Sequence, residues 1–282
     1  WNVKDISRED LIVAMVGREI TQLFPKKEAK IGGELLRVEG LCKTGYFTDI
    51  TFTLHKGEIL GLTGLVGAGR SEVCQTIFGI MPHDKGKVYL EGKEVNISNP
   101  LDAMKLGIGY LPEDRQKQGL VLQWEISKNI TLSTLDKLCN KGWLNAGKEA
   151  EIAKELSEKV NVKANSIFDT VSSLSGGNQQ KVIVAKLLNA DLKVIILDEP
   201  TKGVDVGAKS AIHEMMSDLA CQGYGIIMIS SEMPEVLGMS DRIIVMREGR
   251  ITAIFDREDA TQEAILEAAM VSRAERKLAG VN

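Results

Sequence analysis

Gly61-Leu62-Thr63-Gly64-Leu65-Val66-Gly67-Ala68-Gly69-Arg70-Ser71 decides how this chain folds. It follows Gly57-Glu58-Ile59-Leu60 and precedes Glu72-Val73-Cys74-Gln75-Thr76-Ile77-Phe78, so it reads as an apolar strand, a glycine-rich turn and the first turns of a helix. That arrangement points several backbone N–H groups at one spot, which suits a phosphate chain. Loops of this kind end Gly-Lys-Ser/Thr: glycines let the backbone approach, lysine reaches the terminal phosphates and the hydroxyl ligates Mg²⁺. Gly64, Gly67, Gly69 and Ser71 fit, and Arg70 stands where lysine is expected. A planar guanidinium fork keeps the charge of an ammonium but not its shape. The loop therefore predicts nucleotide binding and puts turnover in question. Gly64, Leu65, Val66, Gly67, Ala68, Gly69, Arg70, Ser71 and Glu72 form the expected nucleotide-binding segment.

Two later stretches bear on the same chemistry. In Lys193-Val194-Ile195-Ile196-Leu197-Asp198-Glu199-Pro200-Thr201, four consecutive apolar residues predict a strand buried on both faces, as in a parallel sheet, with two carboxylates at its carboxyl end. In a P-loop enzyme Asp198 would hold Mg²⁺ with Ser71, directly or through water, and Glu199 would orient and deprotonate the attacking water. Leu174-Ser175-Gly176-Gly177-Asn178-Gln179-Gln180-Lys181 opens a helix through Val182, Ala185 and Leu188. Its start is an anion site in principle, or a plain glycine-containing helix cap.

The remaining segments fill in an α/β pattern. Short β-rich segments run at Leu35–Val38, Ile50–Leu54, Ile59–Thr63 and Lys87–Leu90, and the alternation in Ile50-Thr51-Phe52-Thr53-Leu54 suggests a half-buried antiparallel strand. Tyr46 or Phe47 could stack on an adenine or pack at the strand entrance. Ile108–Leu111 reads as a buried strand running into the charged loop Pro112–Leu120. From Ser127 to about Val160 helical patterns dominate, with Ile152, Leu156 and Val160 on one face. Ile226–Ile229, Ile243–Met246 and Ile251–Phe255 read as strands and Thr261–Met270 as a helix, followed by a charged, fraying tail. At the other end, Ser7-Arg8-Glu9-Asp10 looks like a capping box before Leu11, Ile12, Met15 and Val16, and Phe24–Gly33 reads as a linker. The chain opens on Trp1, which suggests a fragment of something longer.

Composition narrows the classes of function. With 282 residues, 44% hydrophobic and 26% charged, the chain can form one large core or two modest ones. A net charge of -4 gives no hint of a polyanionic partner, so nucleic acid is not expected. Cys42, Cys74, Cys139 and Cys221 are scattered, form no metal-ligand cluster with the three histidines, and read as reduced, packed cytosolic thiols. No apolar run approaches the roughly 20 residues needed to span a bilayer, so a membrane role would come through a partner.

The loop, Leu174–Gln180, Leu197-Asp198-Glu199-Pro200-Thr201 and Lys202-Gly203-Val204-Asp205 occur in this order, and together they resemble the nucleotide-binding domain of an ABC transporter over most of Glu34 to Phe255. The resemblance implies a P-loop NTPase core of the ABC ATPase type, an α/β fold with a mixed sheet, an antiparallel β sub-domain and a helical sub-domain. It also implies two ATP molecules sandwiched between two such domains, each held by one P-loop and the other domain's Ser-Gly-Gly, here Leu174, Ser175, Gly176, Gly177, Asn178 and Gln179.

Gly64–Glu72, Tyr110-Leu111-Pro112-Glu113-Asp114-Arg115, Ser175–Lys181 and Ser230–Leu237 are similar, more narrowly, to the C-terminal half of tandem ATPases that power bacterial import of ribose, galactose or arabinose. Met15-Val16-Gly17-Arg18-Glu19 is similar to the end of the N-terminal half of such proteins. The implied layout is residues 1–33 as the end of the preceding half plus linker, 34–260 as the nucleotide-binding domain with its helical sub-domain at about 115–190, and 261–282 as a C-terminal helix and tail. The implied partners are a second nucleotide-binding domain, membrane permease subunits and, indirectly, a sugar-binding protein. The implied place is the cytoplasmic face of the membrane, with Glu113, Asp114 and Arg115 in the loop that meets the permease.

Three residues depart from the general ABC pattern. Arg70 replaces the loop lysine, Glu113 stands where a glutamine usually meets Mg²⁺, and Ser231 or Glu232 stands where a histidine contacts the terminal phosphate. The expectation is a slow or non-hydrolytic site at this P-loop, with Ser175-Gly176-Gly177 completing a competent site on the other half; a non-hydrolytic regulatory or structural nucleotide-binding module is the alternative. DNA-repair relatives of the fold would need coiled-coil heptads between loop and signature, and translation-type relatives would need basic tracts. The chain shows neither.

Overall fold

The computed structural model describes residues 24–140 and 142–270. The capping-box helix expected after Ser7, the Met15–Glu19 segment and the tail beyond Met270 lie outside them.

β1 (Glu34–Lys43) and β2 (Phe47–His55) form a hairpin, β3 (Ile59–Gly64) leaves it for a second sheet, and α1 (Arg70–Ile77) follows the glycine turn. The chain returns through β4 (Lys85–Leu90) and β5 (Lys93–Val95) to complete an antiparallel sheet of order β2-β1-β4-β5. In β2, Ile50, Phe52 and Leu54 are buried while Thr51 is exposed, the two-residue alternation of a strand with one wet face.

Next come α2 (Pro100–Lys105), β6 (Ile108–Leu111) and a π-helical turn at Arg115–Gly119. The helical region holds α3 (Ile126–Thr131), a hairpin of β7 (Cys139–Asn140) and β8 (Trp143–Leu144), α4 (Ala146–Lys159) and α5 (Gly176–Leu188). Then follow β9 (Val194–Asp198), α6 (Val206–Cys221), β10 (Gly225–Ile229), α7 (Met233–Met239), β11 (Arg242–Arg247), β12 (Arg250–Asp256) and α8 (Gln262–Met270). The larger sheet runs β12-β11-β3-β10-β9-β6, parallel throughout except for β12. Every residue of β9 and β10 is buried, which explains their unbroken apolar runs.

One core lies between the two sheets, where Leu36, Phe52 and Leu54 meet Leu60, Leu62, Val73 and Ile77. A second covers the opposite face of the large sheet with Val182, Ile183, Ile212 and Met216. A third packs Val236 and Ile265 on Ile243 and Val245. Between these cores the carboxyl ends of β3, β10 and β9 lie side by side, where ligands of open parallel sheets bind.

Several expectations need correction. Ser127–Val160 is interrupted by the β7–β8 hairpin, and the most buried line on α4 is Glu149, Ala153 and Ser157, with Ile152 and Leu156 half-buried beside it. The Glu149 carboxylate is admitted there because the Thr131 hydroxyl donates to it at 2.9 Å. The stretch after Pro112 is a π-helical turn, started by Asp114 accepting from the Lys117 N–H at 3.2 Å. Of the four thiols only Cys74 is fully packed; Cys139 and Cys221 are exposed. Residues 24–33 are docked along the domain: the Phe24 ring packs on Gly238 and lies 5.2 Å from the His213 ring, and Lys26 pairs with Asp241 at 2.8 Å.

Candidate functional site

The glycine turn is shaped by main-chain crowding. Gly64 has φ 149°, and a Cβ there would fall 2.1 Å from the Met246 carbonyl oxygen, so only glycine lets β3 turn beside β11. Gly69 caps α1 in the left-handed region at φ 93°. Its neighbours are the Tyr46 carbonyl and Gly249, where the β1–β2 and β11–β12 turns close on the loop. The Gly249 N–H donates to the Ala68 carbonyl at 3.0 Å, and the Thr48 N–H to the Gly249 carbonyl at 2.8 Å. Leu65, Val66 and Gly67 form the exposed tip, and Glu72 follows in the first turn of α1. Phe47 is buried in the core while Tyr46 stands half exposed beside the loop, so of the two aromatics Tyr46 is the one open to a ligand.

Ser71 and Asp198, 127 residues apart in sequence, meet under this turn: the Ser71 hydroxyl donates to Asp198 Oδ1 at 3.1 Å. Asp198 is almost wholly buried, and its other oxygen accepts from the Tyr110 hydroxyl at 2.7 Å. Burial pushes the Asp198 carboxyl above its usual range; the two hydroxyl donors oppose the shift, and the charges of Glu113 and Glu199 add to it. The Tyr110 hydroxyl is in turn raised by burial and by the neighbouring carboxylate. Two hard oxygen donors at this spacing fit a small divalent cation of the magnesium type, whose remaining ligands come from phosphate and water.

Glu199 takes φ 48°, a left-handed conformation costing on the order of 1 kcal/mol for a residue with a Cβ. Its N–H donates to the Ile229 carbonyl at 2.9 Å, and its carboxylate accepts from the Ser231 hydroxyl at 3.1 Å. Of the two candidates for the switch position, Ser231 therefore faces Glu199, while Glu232 turns away to pair with Lys209. Arg70 Nη1 donates to the Ser230 carbonyl at 3.0 Å, so the residue in the lysine position reaches the end of β10.

Beneath that contact lies a buried polar cluster which sequence reasoning missed. Glu235 accepts from the Thr201 hydroxyl at 2.9 Å and from the Ser230 hydroxyl, and lies 2.7 Å from His213 Nε2. Burial alone would raise the Glu235 pKa, but these hydrogen bonds outweigh it and hold the carboxyl below its usual value.

On the other side of Asp198, Glu113 pairs with Lys202, and Arg115 donates to the Lys202 and Gly203 carbonyls at 2.7 and 3.2 Å. The Lys117 N–H holds the Asp114 carboxyl below its usual range. The Lys202 partnership had no signal in the sequence beyond the charge itself. Leu174 leads into α5. Ser175 occupies the cap position without bonding the helix backbone through its hydroxyl, which instead accepts from the Asn178 side-chain Nδ2 at 3.0 Å. Gly177 is required by packing, since a Cβ would meet that of Ala208 at 2.5 Å. Gln179 is buried and donates to the Leu174 carbonyl at 3.2 Å. The structure thus gathers Ser71, Asp198, Glu199, Ser231 and Arg70 at the carboxyl ends of the central parallel strands, and Glu113, Arg115 and the start of α5 beside them.

Solved structures share this fold. A nucleotide-free ATP-binding cassette from an ABC transporter superposes with a TM-score of 0.71 over 85% of this chain and 100% of its own, at 22% identity. Another such cassette, in its ADP conformation, gives 0.67 over 88% and 98%, also at 22%. Among sequences, a ribose import ATP-binding protein of Caldanaerobacter subterraneus subsp. tengcongensis is 49% identical over 94% of this chain and 53% of its own length. One from Rhizobium etli is 46% identical over 95% and 52%. The chain spans about half the length of the curated relatives it matches. The sequence model described as ABC transporter matches residues 47–202, more than half of the 282, and that span holds the glycine turn, the Ser-Gly-Gly helix start and the Asp198–Glu199 strand end: the chain belongs to the ABC transporter family.

Proposed function

We propose that this chain is one half of a tandem ATPase that energises uptake of a monosaccharide through a membrane ABC importer. The convergence of Ser71, Asp198, Glu199 and Ser231 below the glycine turn is the observation that carries the reading. The backbone N–H groups of Gly64–Ser71 receive the ATP phosphates at the start of α1, and Tyr46 offers its face to the adenine. Ser71 and Asp198 would hold Mg²⁺, which when bound supplies neutralisation of the phosphate charge. Glu199 orients the attacking water and takes its proton, with Ser231 fixing the carboxylate.

Arg70 tied to the Ser230 carbonyl, with serine at the switch position, favours slow turnover at this loop. Ser175, Gly176 and Gly177 complete the site of a second nucleotide-binding domain, the N-terminal half of the same polypeptide. The half-length match to the relatives supports that partner. No helix among the described residues is long and apolar enough to cross a membrane. In this reading the path for sugar belongs to permease subunits, with this half on their cytoplasmic face, Glu113–Arg115 turned toward them and a sugar-binding protein on the far side. The names of the relatives make ribose the first sugar to test.

The test compares Mg-ATP hydrolysis by the full-length protein with its permease, wild type against Ser175→Arg and Glu199→Gln. Ser175→Arg should lower kcat by about 100-fold or more, and Glu199→Gln should lower it less, because the second site carries most turnover. Unchanged ribose-stimulated hydrolysis in Ser175→Arg would refute the division of labour. Hydrolysis abolished by Glu199→Gln would make this half a catalyst in its own right.

A further inference from the structure

Three stretches far apart in sequence meet around one guanidinium. Arg115 opens the π-helical turn, and its Nη1 and Nη2 donate to the consecutive carbonyls of Lys202 and Gly203. The Glu113 carboxylate pairs with the Lys202 side chain, and Gln116 donates to Gln179 of α5 at 3.3 Å. A Cβ on Gly176 would fall 2.6 Å from Arg115 Nη2 and 3.2 Å from the Gly203 carbonyl oxygen, so the guanidinium fills the slot between the start of α5 and the Lys202–Gly203 backbone. The Lys202 N–H also donates to the Glu199 carbonyl at 3.1 Å, which links the contact to the left-handed residue at the end of β9.

Two features mark this as more than a surface ion pair. One planar fork on two adjacent main-chain carbonyls is a geometry that a lysine cannot copy. Arg115 Nε is buried with no acceptor, an expense that a purely structural arginine at an open surface would avoid by turning to water. Lys202, Gly203, Asp205 and Ser175 are all exposed on the side where the contact ends. Glu113, Asp114, Arg115, Gln116 and Lys202 border an open cavity of about 500 Å³, which leaves the turn room to move.

From this geometry we infer that Arg115 is a positioning residue that locks the Lys202–Gly203 backbone to the start of α5. The coupling turn, the Ser-Gly-Gly helix start and the Glu199 backbone then move as one unit. The inference rests on the two-half site proposed above and adds to it the side chain through which a shift of the turn reaches both halves.

The test uses the full-length ATPase assembled with its permease, carrying Arg115→Lys or Arg115→Gln, with Ser175→Arg alongside. Both Arg115 variants should lower kcat for Mg-ATP by about tenfold or more and leave KM within about twofold. Amide exchange at residues 202–206 should rise in both, while thermal unfolding changes little. Arg115→Lys restoring kcat with exchange unchanged would overturn the inference, since charge alone would then suffice. If Ser175→Arg proves harmless the two-half reading fails, and exchange at 202–206 alone then decides whether the lock exists: faster exchange supports it and unchanged exchange overturns it.

Discussion

Gly64 and Gly67 look alike in the sequence and differ in the structure. At Gly64 a side chain would strike the Met246 carbonyl, whereas Gly67, with φ 79°, has open space around the Cβ position. Gly64→Ala should therefore cost on the order of 3 kcal/mol, by clash and by backbone. Gly67→Ala should cost about 1–2 kcal/mol, the left-handed penalty alone. Urea denaturation of the two variants separates these values, and equal losses would contradict the geometry. The pairing of Ser71 with Asp198 was legible because each residue sits in a motif whose chemistry needs the other. Tyr110 was not: a tyrosine inside an apolar strand reads as core, and its hydroxyl finds a partner 88 residues away. That Arg70 would reach Ser230 depends on where β10 ends, which local sequence does not state.

Strands β6, β9 and β10 of the large sheet were visible as apolar runs because burial on both faces leaves no polar alternation to confuse. The Arg115–Gly119 turn and the β7–β8 hairpin were hidden: both lie in polar stretches where periodicity is weak, and tertiary contacts choose the conformation. Glu235 shows how elements are joined where pattern is silent. It ties the turn after β9, the end of β10, α6 and the start of α7 through Thr201, Ser230 and His213. Its folded pKa lies below the ordinary 4.5, so the unfolded chain takes up the proton first as pH falls. The stability that this carboxylate contributes is complete above about pH 4.5 and is lost as pH drops through the lower folded value. Glu235→Gln should be less stable at pH 7 and should show a shallower fall in Tm between pH 5 and pH 3 than the wild type. Parallel curves would remove Glu235 from the acid response.

Residues 24–33 carry the composition of a linker yet are held by named contacts, so for the whole molecule they behave as part of the domain. Asp241 receives both the Lys26 ammonium and the Ile59 N–H at 2.8 Å, joining this segment to the first residue of β3. Asp241→Ala should cost about 2 kcal/mol and Lys26→Ala less, since the latter leaves the bond to Ile59 in place. Thermal melts give the order, and the reverse order would mean that the ion pair outweighs the backbone bond. The meeting of Tyr46, Gly69 and Gly249 has a different kind of consequence. Because this junction between the small sheet and the nucleotide loop is made of main chain, it is written in almost no side-chain letters. At 249 a Cβ would fall 2.3 Å from the Tyr46 carbonyl oxygen, and at 69 the φ of 93° strains any residue but glycine. The seam at the loop is thus spelled by two glycines, while the side chains of the core beneath it hold the two sheets together.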